Sequence, residues 1–211
     1  QINTTKYIRH KHINKCMKFT YRTSDWAAMS MTKFFRFFAD TFFAKRYGHR
    51  AVVLETIAGV PGMVAGMLIH LRSLRHLQSG NGTMIHELLA EAENERKHLM
   101  FFIEIVKPNW VERVLIVVAQ LIFWHFYLIM YILFPRTAHK MIAYFEEEAV
   151  RSYTEYLKLI DNKAIDNPPA PEIAIKYYKL PRNARLRDMV ECIRSDEAKH
   201  SKANHAFSDK Y

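Results

Sequence analysis

The sequence predicts an all-α protein built from a few long helices, and three observations carry that expectation. Only 6 of the 211 residues are glycine and 7 are proline, too few to punctuate a strand-and-turn architecture. Half of the chain is apolar, enough to build the core of one domain. The apolar residues fall in long stretches separated by short polar or proline-containing breaks.

Residues 1–22 are basic and polar without periodicity and read as an arm, leaving 23–211 as one helical domain. Residues 23–46 open on Thr-Ser-Asp, a helix-start signal, and continue as a stripe of aromatics and Met flanked by Lys33, Arg36, Lys45 and Arg46. Two readings fit: a helix lying in a membrane interface, or an amphipathic helix facing a core. Residues 50–77 form a second, mostly apolar helix with a kink expected at Pro61-Gly62. Residues 78–83 are a turn, and 84–107 a polar-faced helix ended by Pro108. Residues 110–134 are apolar except for a few polar side chains, and Val114–Phe134 is long enough to cross a bilayer. A lone crossing there would put the two halves of the chain on opposite membrane faces. Lying along one membrane face avoids that. Helices over 137–160 and 184–208, joined through the Pro-rich loop 161–172 and a short segment to Pro181, complete the chain.

The formal net charge of +10 asks for an anionic partner, either nucleic acid or an anionic membrane surface, or marks a simply basic soluble protein. Cys16 and Cys192 form no CxxC pair, so neither a zinc ribbon nor a disulfide framework is supported. The chain begins at Gln1, as expected of a processed or trimmed product.

The chemistry concentrates in two Glu-x-x-His motifs, Glu95-Arg-Lys-His98 and Glu197-Ala-Lys-His200. Residues three apart share a helix face, so each motif offers a carboxylate and an imidazole to one metal site. Chance alone supplies roughly 0.7 such pairs in a chain of this composition, so one motif by itself says little. Order adds specificity: Glu55 precedes Glu95 by 40 residues, and Glu146 precedes Glu197 by 51. Glu…Glu-x-x-His, twice over on four helices, is the ligand logic of four-helix di-iron carboxylate bundles. Glu55 sits in VVLETIAGV with no other charge within four residues, where a buried carboxylate needs a cation: a metal, or Arg50 or Arg72. Of Glu146-Glu147-Glu148, one need face the metals. Oxygen and nitrogen ligands with open positions suit non-haem iron; manganese fits the same donors, and tetrahedral zinc fits less well.

These stretches resemble the alternative oxidases, the cyanide-insensitive quinol oxidases of mitochondria. The matching motifs are LETIAGVPGMVAGML (54–68), AENERKHLM (92–100), EEEAVRSYTEY (146–156) and RSDEAKH (194–200). The resemblance implies a ferritin-like ligand arrangement with two additional membrane-facing helices, about 23–46 and 110–134. It implies two iron ions held by Glu55, Glu95, His98, Glu146, Glu197 and His200. Tyr153 takes the place of a tyrosine near the metals, for which a core tyrosine with a bonded hydroxyl is the other reading. Asn94, His139 and Asp196 take positions that orient ligands. Arg50, Leu54, Glu148, Ala149 and Ser152 map to a quinol pocket, and Glu148, Tyr153 and Asp196 are the residues expected to serve catalysis. Two departures stand out: Ser152 replaces a frequent threonine, and Tyr177-Tyr178 replaces a frequent Tyr-Trp. The regulatory cysteine of plant members has no convincing counterpart in Cys16.

The resemblance thus implies a ubiquinol:oxygen oxidoreductase that does not pump protons. It implies a homodimer bound to one leaflet of the inner membrane of a mitochondrion, on the matrix side, or of a mitochondrion-related organelle. Three other readings compete: a membrane-associated di-iron hydroxylase, an iron-storage bundle and a basic nucleic-acid binder. The last leaves Glu55 and the paired motifs unexplained, so no nucleic-acid partner is expected.

Overall fold

The structure, a computed structural model, describes residues 23–38, 40–41, 47–77 and 80–211. The basic arm, Cys16, Lys45 and Arg46 lie outside the described residues. The described chain is all helical, without a strand. Helix α1 is described over residues 23–38 and 40–41. It is followed by α2 (Tyr47–His76), α3 (Gly82–Val106), α4 (Trp110–Leu133), α5 (Pro135–Asp161), α6 (Glu172–Tyr178) and α7 (Leu186–Ser208).

Local chemistry sets these boundaries. Helix α3 stops where Lys107 turns left-handed ahead of Pro108. At the start of α4, Asn109 and Glu112 cap each other reciprocally, each backbone N–H donating to the other's side chain at 2.9 Å. Helix α5 begins on Pro135, whose missing N–H costs nothing in a first turn. The Asp188 carboxylate accepts the Arg185 N–H at 2.8 Å and so caps α7. Gly82 and Thr83, expected in the preceding turn, are already helical.

Pro61 does not break α2, which runs through it to His76. Its neighbours explain why the position is held. A side chain on Gly62 would strike the Leu88 carbonyl oxygen and meet Ala92 Cβ at 3.1 Å, and one on Gly66 would meet Leu89 at 3.0 Å. Helices α2 and α3 therefore touch nearly backbone to backbone. Helix α5 packs chiefly on α7, and α4 spans α2 and α5.

The core divides into two apolar clusters. One contains Val60, Leu88, Phe123, Ile142 and Phe207; the other contains Val52, Phe101, Tyr153 and Ile193. On each of α2, α3, α5 and α7 the chain passes from one cluster to the other. Glu55, Glu95, His98, Glu146 and Glu197 lie between them, all buried. The bundle is thus a polar layer held between two apolar ones.

Helices α2 and α4 are both long and apolar enough to cross a membrane, but α2 buries 67% of its most apolar window and α4 only 22%. That difference makes α2 a core helix and leaves α4 with an outward apolar face. Trp110 is 74% exposed, and Val114, Val117, Leu121 and Ile122 also face out. Gln120 and His125 of α4 both find backbone partners: Gln120 donates to the Thr56 carbonyl of α2 at 3.1 Å, and His125 Nδ1 lies 2.7 Å from the Leu121 carbonyl oxygen. Helix α1 uses both of the faces read from its sequence. Phe35 packs on Phe123, Phe126 and Phe145 at ring distances of 5.6–5.8 Å. Trp26, Phe34 and Phe37 point outward.

The α2–α3 contact makes a direct prediction. Alanine at an open helical glycine gains about 1 kcal/mol. Gly62→Ala should instead lose roughly 1–3 kcal/mol in denaturant unfolding, because a backbone carbonyl cannot move aside as a side chain can. Gly80→Ala, which meets nothing within 4 Å, is the control and should stay within about 0.5 kcal/mol.

Candidate metal centre

Four helices deliver six side chains to the polar layer: Glu55 from α2, Glu95 and His98 from α3, Glu146 from α5, Glu197 and His200 from α7. They form two overlapping groups, Glu55–Glu95–His98–Glu197 and Glu95–Glu146–Glu197–His200, whose ligand atoms lie within 4.8 Å of one another. Glu95 and Glu197 belong to both. Glu95 turns Oε2 toward His98 Nδ1 at 3.4 Å and Oε1 toward His200 Nδ1 at 2.6 Å. Glu197 turns Oε1 toward His98 Nδ1 at 3.1 Å and Oε2 toward His200 Nδ1 at 3.8 Å. Each carboxylate thus divides its two oxygens between two adjacent positions, and so could serve two cations at once.

The donor set also fits cations by what it lacks. Glu55 Oε2, both oxygens of Glu95, Glu197 Oε1, His98 Nδ1 and His200 Nδ1 are buried, and none makes a hydrogen bond of sound geometry. Buried polar atoms are rarely left that way, and here six of them point at the same small volume. The residues alone balance their charge with protons. Burial drives Glu55 and Glu146 well above the ordinary carboxylate range, aided by the charges of Glu95 and Glu197 respectively. Burial acts on Glu95 and Glu197 too, but the His98 and His200 imidazoles outweigh it and hold both low. His200 is raised to about 11 against its own burial by Glu197 and Glu95. His98 is likewise raised well above its usual value, against its burial, by Asp196, Glu197, Glu55 and Glu95.

A cavity of about 810 Å³ leads to this cluster between α1, α2, α4 and α5. Its walls are mostly apolar, among them Phe35, Leu54, Ile57, Phe123 and Ala149. Glu55, Glu95, Glu146, Glu197 and Tyr153 also line it, while Arg36, Arg50 and Glu148 supply charge.

The alternative oxidase family model matches residues 4–209. The chain belongs to the alternative oxidase family. It is 50% identical over 208 residues to "Ubiquinol oxidase 2, mitochondrial" of Glycine max, covering 99% of this chain and 59% of that protein. It is 52% identical over 187 residues to "Ubiquinol oxidase, mitochondrial" of Batrachochytrium dendrobatidis, covering 89% of this chain and 59% of the relative. "Ubiquinol oxidase 1c, mitochondrial" of Arabidopsis thaliana is 52% identical over 185 residues, covering 88% of this chain and 56% of the relative. The chain therefore spans less than three-fifths of the length of these curated relatives.

Within this alternative oxidase chain, Arg50, Leu54, Glu148, Ala149 and Ser152 all line the cavity. Arg50 bonds Asp40 rather than Glu55, which removes the reading of Glu55 as the partner of that arginine. Arg36 turns inward: it bonds Asp40 and Glu148 at the cavity. The glutamate run splits three ways, with Glu146 buried in the layer, Glu147 bonded to His205 at 2.8 Å, and Glu148 held by Arg36 and Arg151. Tyr153 is buried, stacks on Phe102 and donates to Glu55 Oε1. Asn94 donates to Tyr177 at 2.9 Å and, at 3.4 Å, to Asp196. His139 pairs with Asn204 and Tyr131, each at 3.1 Å, rather than with one of the six cluster residues among the described contacts.

Sequence reasoning missed Glu91 and Asn204, which lie one helical turn from Glu95 and His200. The Asn204 side chain donates to both Glu91 oxygens at 2.9 and 3.0 Å, and also to the His200 carbonyl at 3.1 Å. The available signal was the spacing i, i+4, which stacks each on the same helix face as a cluster residue.

Two predictions follow from the titrating groups. Cobalt(II) added to the metal-free protein should release protons, because Glu55, Glu146, His98 and His200 hold protons that a cation must displace. Affinity should rise with pH, by about tenfold per pH unit for each proton released, measured by calorimetry in buffers of differing ionisation heat. Glu91 is raised to about 7, chiefly by burial. The folded state therefore keeps a proton that the unfolded chain loses, and stability should fall as pH rises from the ordinary carboxylate value through about 7. In Glu91→Gln that fall, roughly 3 kcal/mol, should be absent from urea unfolding series run below and above neutrality.

Proposed function

We propose that this chain is a membrane-bound ubiquinol oxidase that reduces O2 to water at two iron ions. Glu55, Glu95, His98, Glu146, Glu197 and His200 hold the irons. The observation that carries this reading is the division of Glu95 and Glu197 oxygens between two positions at the inner end of an apolar cavity. Bound there, two irons supply a centre that takes up electrons from quinol and returns them to O2. The overall reaction balances as two quinols and one O2 giving two quinones and two waters.

The chain's residues supply positioning and protons. The apolar walls bind the quinol ring and the start of its tail. The Arg50 guanidinium donates to a quinol oxygen, and the Ser152 hydroxyl bonds the other. Glu148 accepts a proton from the head group at the cavity's charged edge. Tyr153 stands between cavity and cluster, with its phenolic proton directed at Glu55 Oε1. Asp196 acts from behind His98.

The exposed apolar faces of α1 and α4 bind one leaflet, and basic groups near them meet anionic headgroups. Because α4 lies along that surface, both halves of the chain stay on one side and the reaction moves no charge across the bilayer. The names of the relatives support a mitochondrion, and within it the proposed location is the inner membrane, on the matrix side. Met63, Met67, Leu71 and Leu89, exposed on α2 and α3, support a homodimer.

The test is oxygen uptake by iron-replete, detergent-solubilised protein given a short-chain ubiquinol with cyanide present. Uptake at one O2 per two quinols is expected. It should vanish in Glu55→Ala and Glu197→Ala, while Ser152→Ala should raise KM more than it lowers kcat. No uptake from iron-replete protein would sink the oxidase reading, and a hydroxylated product would replace it with a hydroxylase.

A further inference from the structure

Behind His98, away from the cluster, lies an arrangement that the ligand set does not include. Tyr178 ends the short helix α6, and its hydroxyl lies 2.9 Å from His98 Nε2 and 2.9 Å from Asp196 Oδ2. His98 Nε2 and Asp196 Oδ2 are themselves 3.6 Å apart, too far for a hydrogen bond. The other Asp196 oxygen is taken by Lys199 Nζ at 2.7 Å.

Counting hydrogens fixes the direction of this chain. A carboxylate only accepts, so the single phenolic proton goes to Asp196. The phenol oxygen is then left to accept, and His98 Nε2 must carry the proton it receives. Nε2–H leaves Nδ1 as the nitrogen able to bind a cation, and Nδ1 is the atom facing Glu55, Glu95 and Glu197. The backbone around Tyr178 is held for this purpose. Hydrogen bonds from Ala170 to Ala184 at 3.0 Å and from Leu186 to Pro168 at 2.8 Å close the loop carrying α6, and the Tyr178 ring packs on Phe101 at 5.7 Å.

We propose that Tyr178 is a positioning residue that links Asp196 to His98 through its hydroxyl, fixing the His98 tautomer and strengthening the cation position shared by Glu55 and His98. A carboxylate behind a ligating histidine commonly does this directly. Here a phenol is inserted between them, and an indole at the same place could donate to Asp196 but could not accept from His98. The effect is local to one of the two positions, because no contact of Tyr178 reaches Glu146 or His200 among the described residues. The proposal rests on the reading of the six residues as metal ligands.

The experiment is cobalt(II) titration, followed by visible absorption, of the wild-type chain, Tyr178→Phe, Asp196→Asn and the double variant. Thermal melting of the metal-free proteins serves as the fold check. Phenylalanine keeps the ring against Phe101 and removes only the hydroxyl. The wild type should bind two ions per chain. Tyr178→Phe should weaken one of them by about 10- to 100-fold, change its absorption band and leave the other unchanged. Asp196→Asn should do the same, and the double variant should be no worse than either, because the two residues act in series. Two unaltered sites in Tyr178→Phe would overturn the proposal. So would equal weakening of both sites, or an Asp196→Asn effect undiminished without the phenol. Fewer than two ions on the wild-type chain would defeat the ligand reading itself, and that is seen before any variant is made.

Discussion

Four carboxylates and two imidazoles enclosed in an apolar bundle cannot be left uncompensated, and the rest of the structure depends on how they are compensated. No arginine or lysine reaches the cluster among the described contacts: Arg50 turns to Asp40, and Lys199 stops at Asp196. The compensation therefore comes from protons or from bound cations, which compete for the same atoms. An isolated buried carboxylate would be costly, whereas six donors converging on two positions form a cage whose occupant repays the burial. Apolar clusters stacked above and below that layer lower the polarity around it, which strengthens the attractions within it.

Building such a cage requires helices close enough for short side chains to meet. Glycine on α2 permits the approach to α3, and a proline inside α2 is tolerated because the helix is clamped along the same stretch. The second pair, α5 and α7, brings Glu146 against Glu197. The opposing Glu-x-x-His motifs then place Glu95 and Glu197 across the centre, where each reaches both positions. The arrangement follows from helix spacing: a glutamate and a histidine three residues apart share a face, and two such faces set against each other bring together donors that could hold two ions.

Much of this was legible in the sequence, for definite reasons. Glu55 stood out because it was alone among apolar residues, and the two motifs because their spacing is helical. The helices were visible in long stretches broken by the turn at 78–83, by Pro108 and by the Pro-rich loop 161–172. Contacts between segments distant in sequence were not visible. Nothing local pairs Arg36 with Glu148 across 112 residues, or Asn204 with Glu91 across 113. Tyr178 was noticed only as a departure from Tyr-Trp; its place between His98 and Asp196 depends on how the loop before α7 folds back. Periodicity reports which face a residue occupies, and not which side chain from another helix will meet it.

The cavity shows the same economy of charge at its outer end. Arg36, Asp40, Arg50 and Glu148 are linked in one ion-paired series, Glu148–Arg36–Asp40–Arg50, with Arg151 on the other oxygen of Glu148. For the proposed membrane-facing opening, such pairing lowers the cost of holding charge beside an apolar phase. The pairing is also only partly buried: the Asp40 side chain is 45% exposed and that of Arg50 is 13% exposed, so the contacts can exchange at modest cost. For the proposed quinol, whose head is polar and whose tail is not, this gives a physical sequence of recognition. The apolar walls accept the molecule regardless of head group. Entry is completed only by a ligand whose oxygen can replace Asp40 as the partner of Arg50. A hydrocarbon of the same shape would fill the walls and leave Arg50 unchanged. On this argument, selectivity for the proposed quinol over a hydrocarbon of the same shape would reside in the competition for one guanidinium rather than in the volume of the cavity.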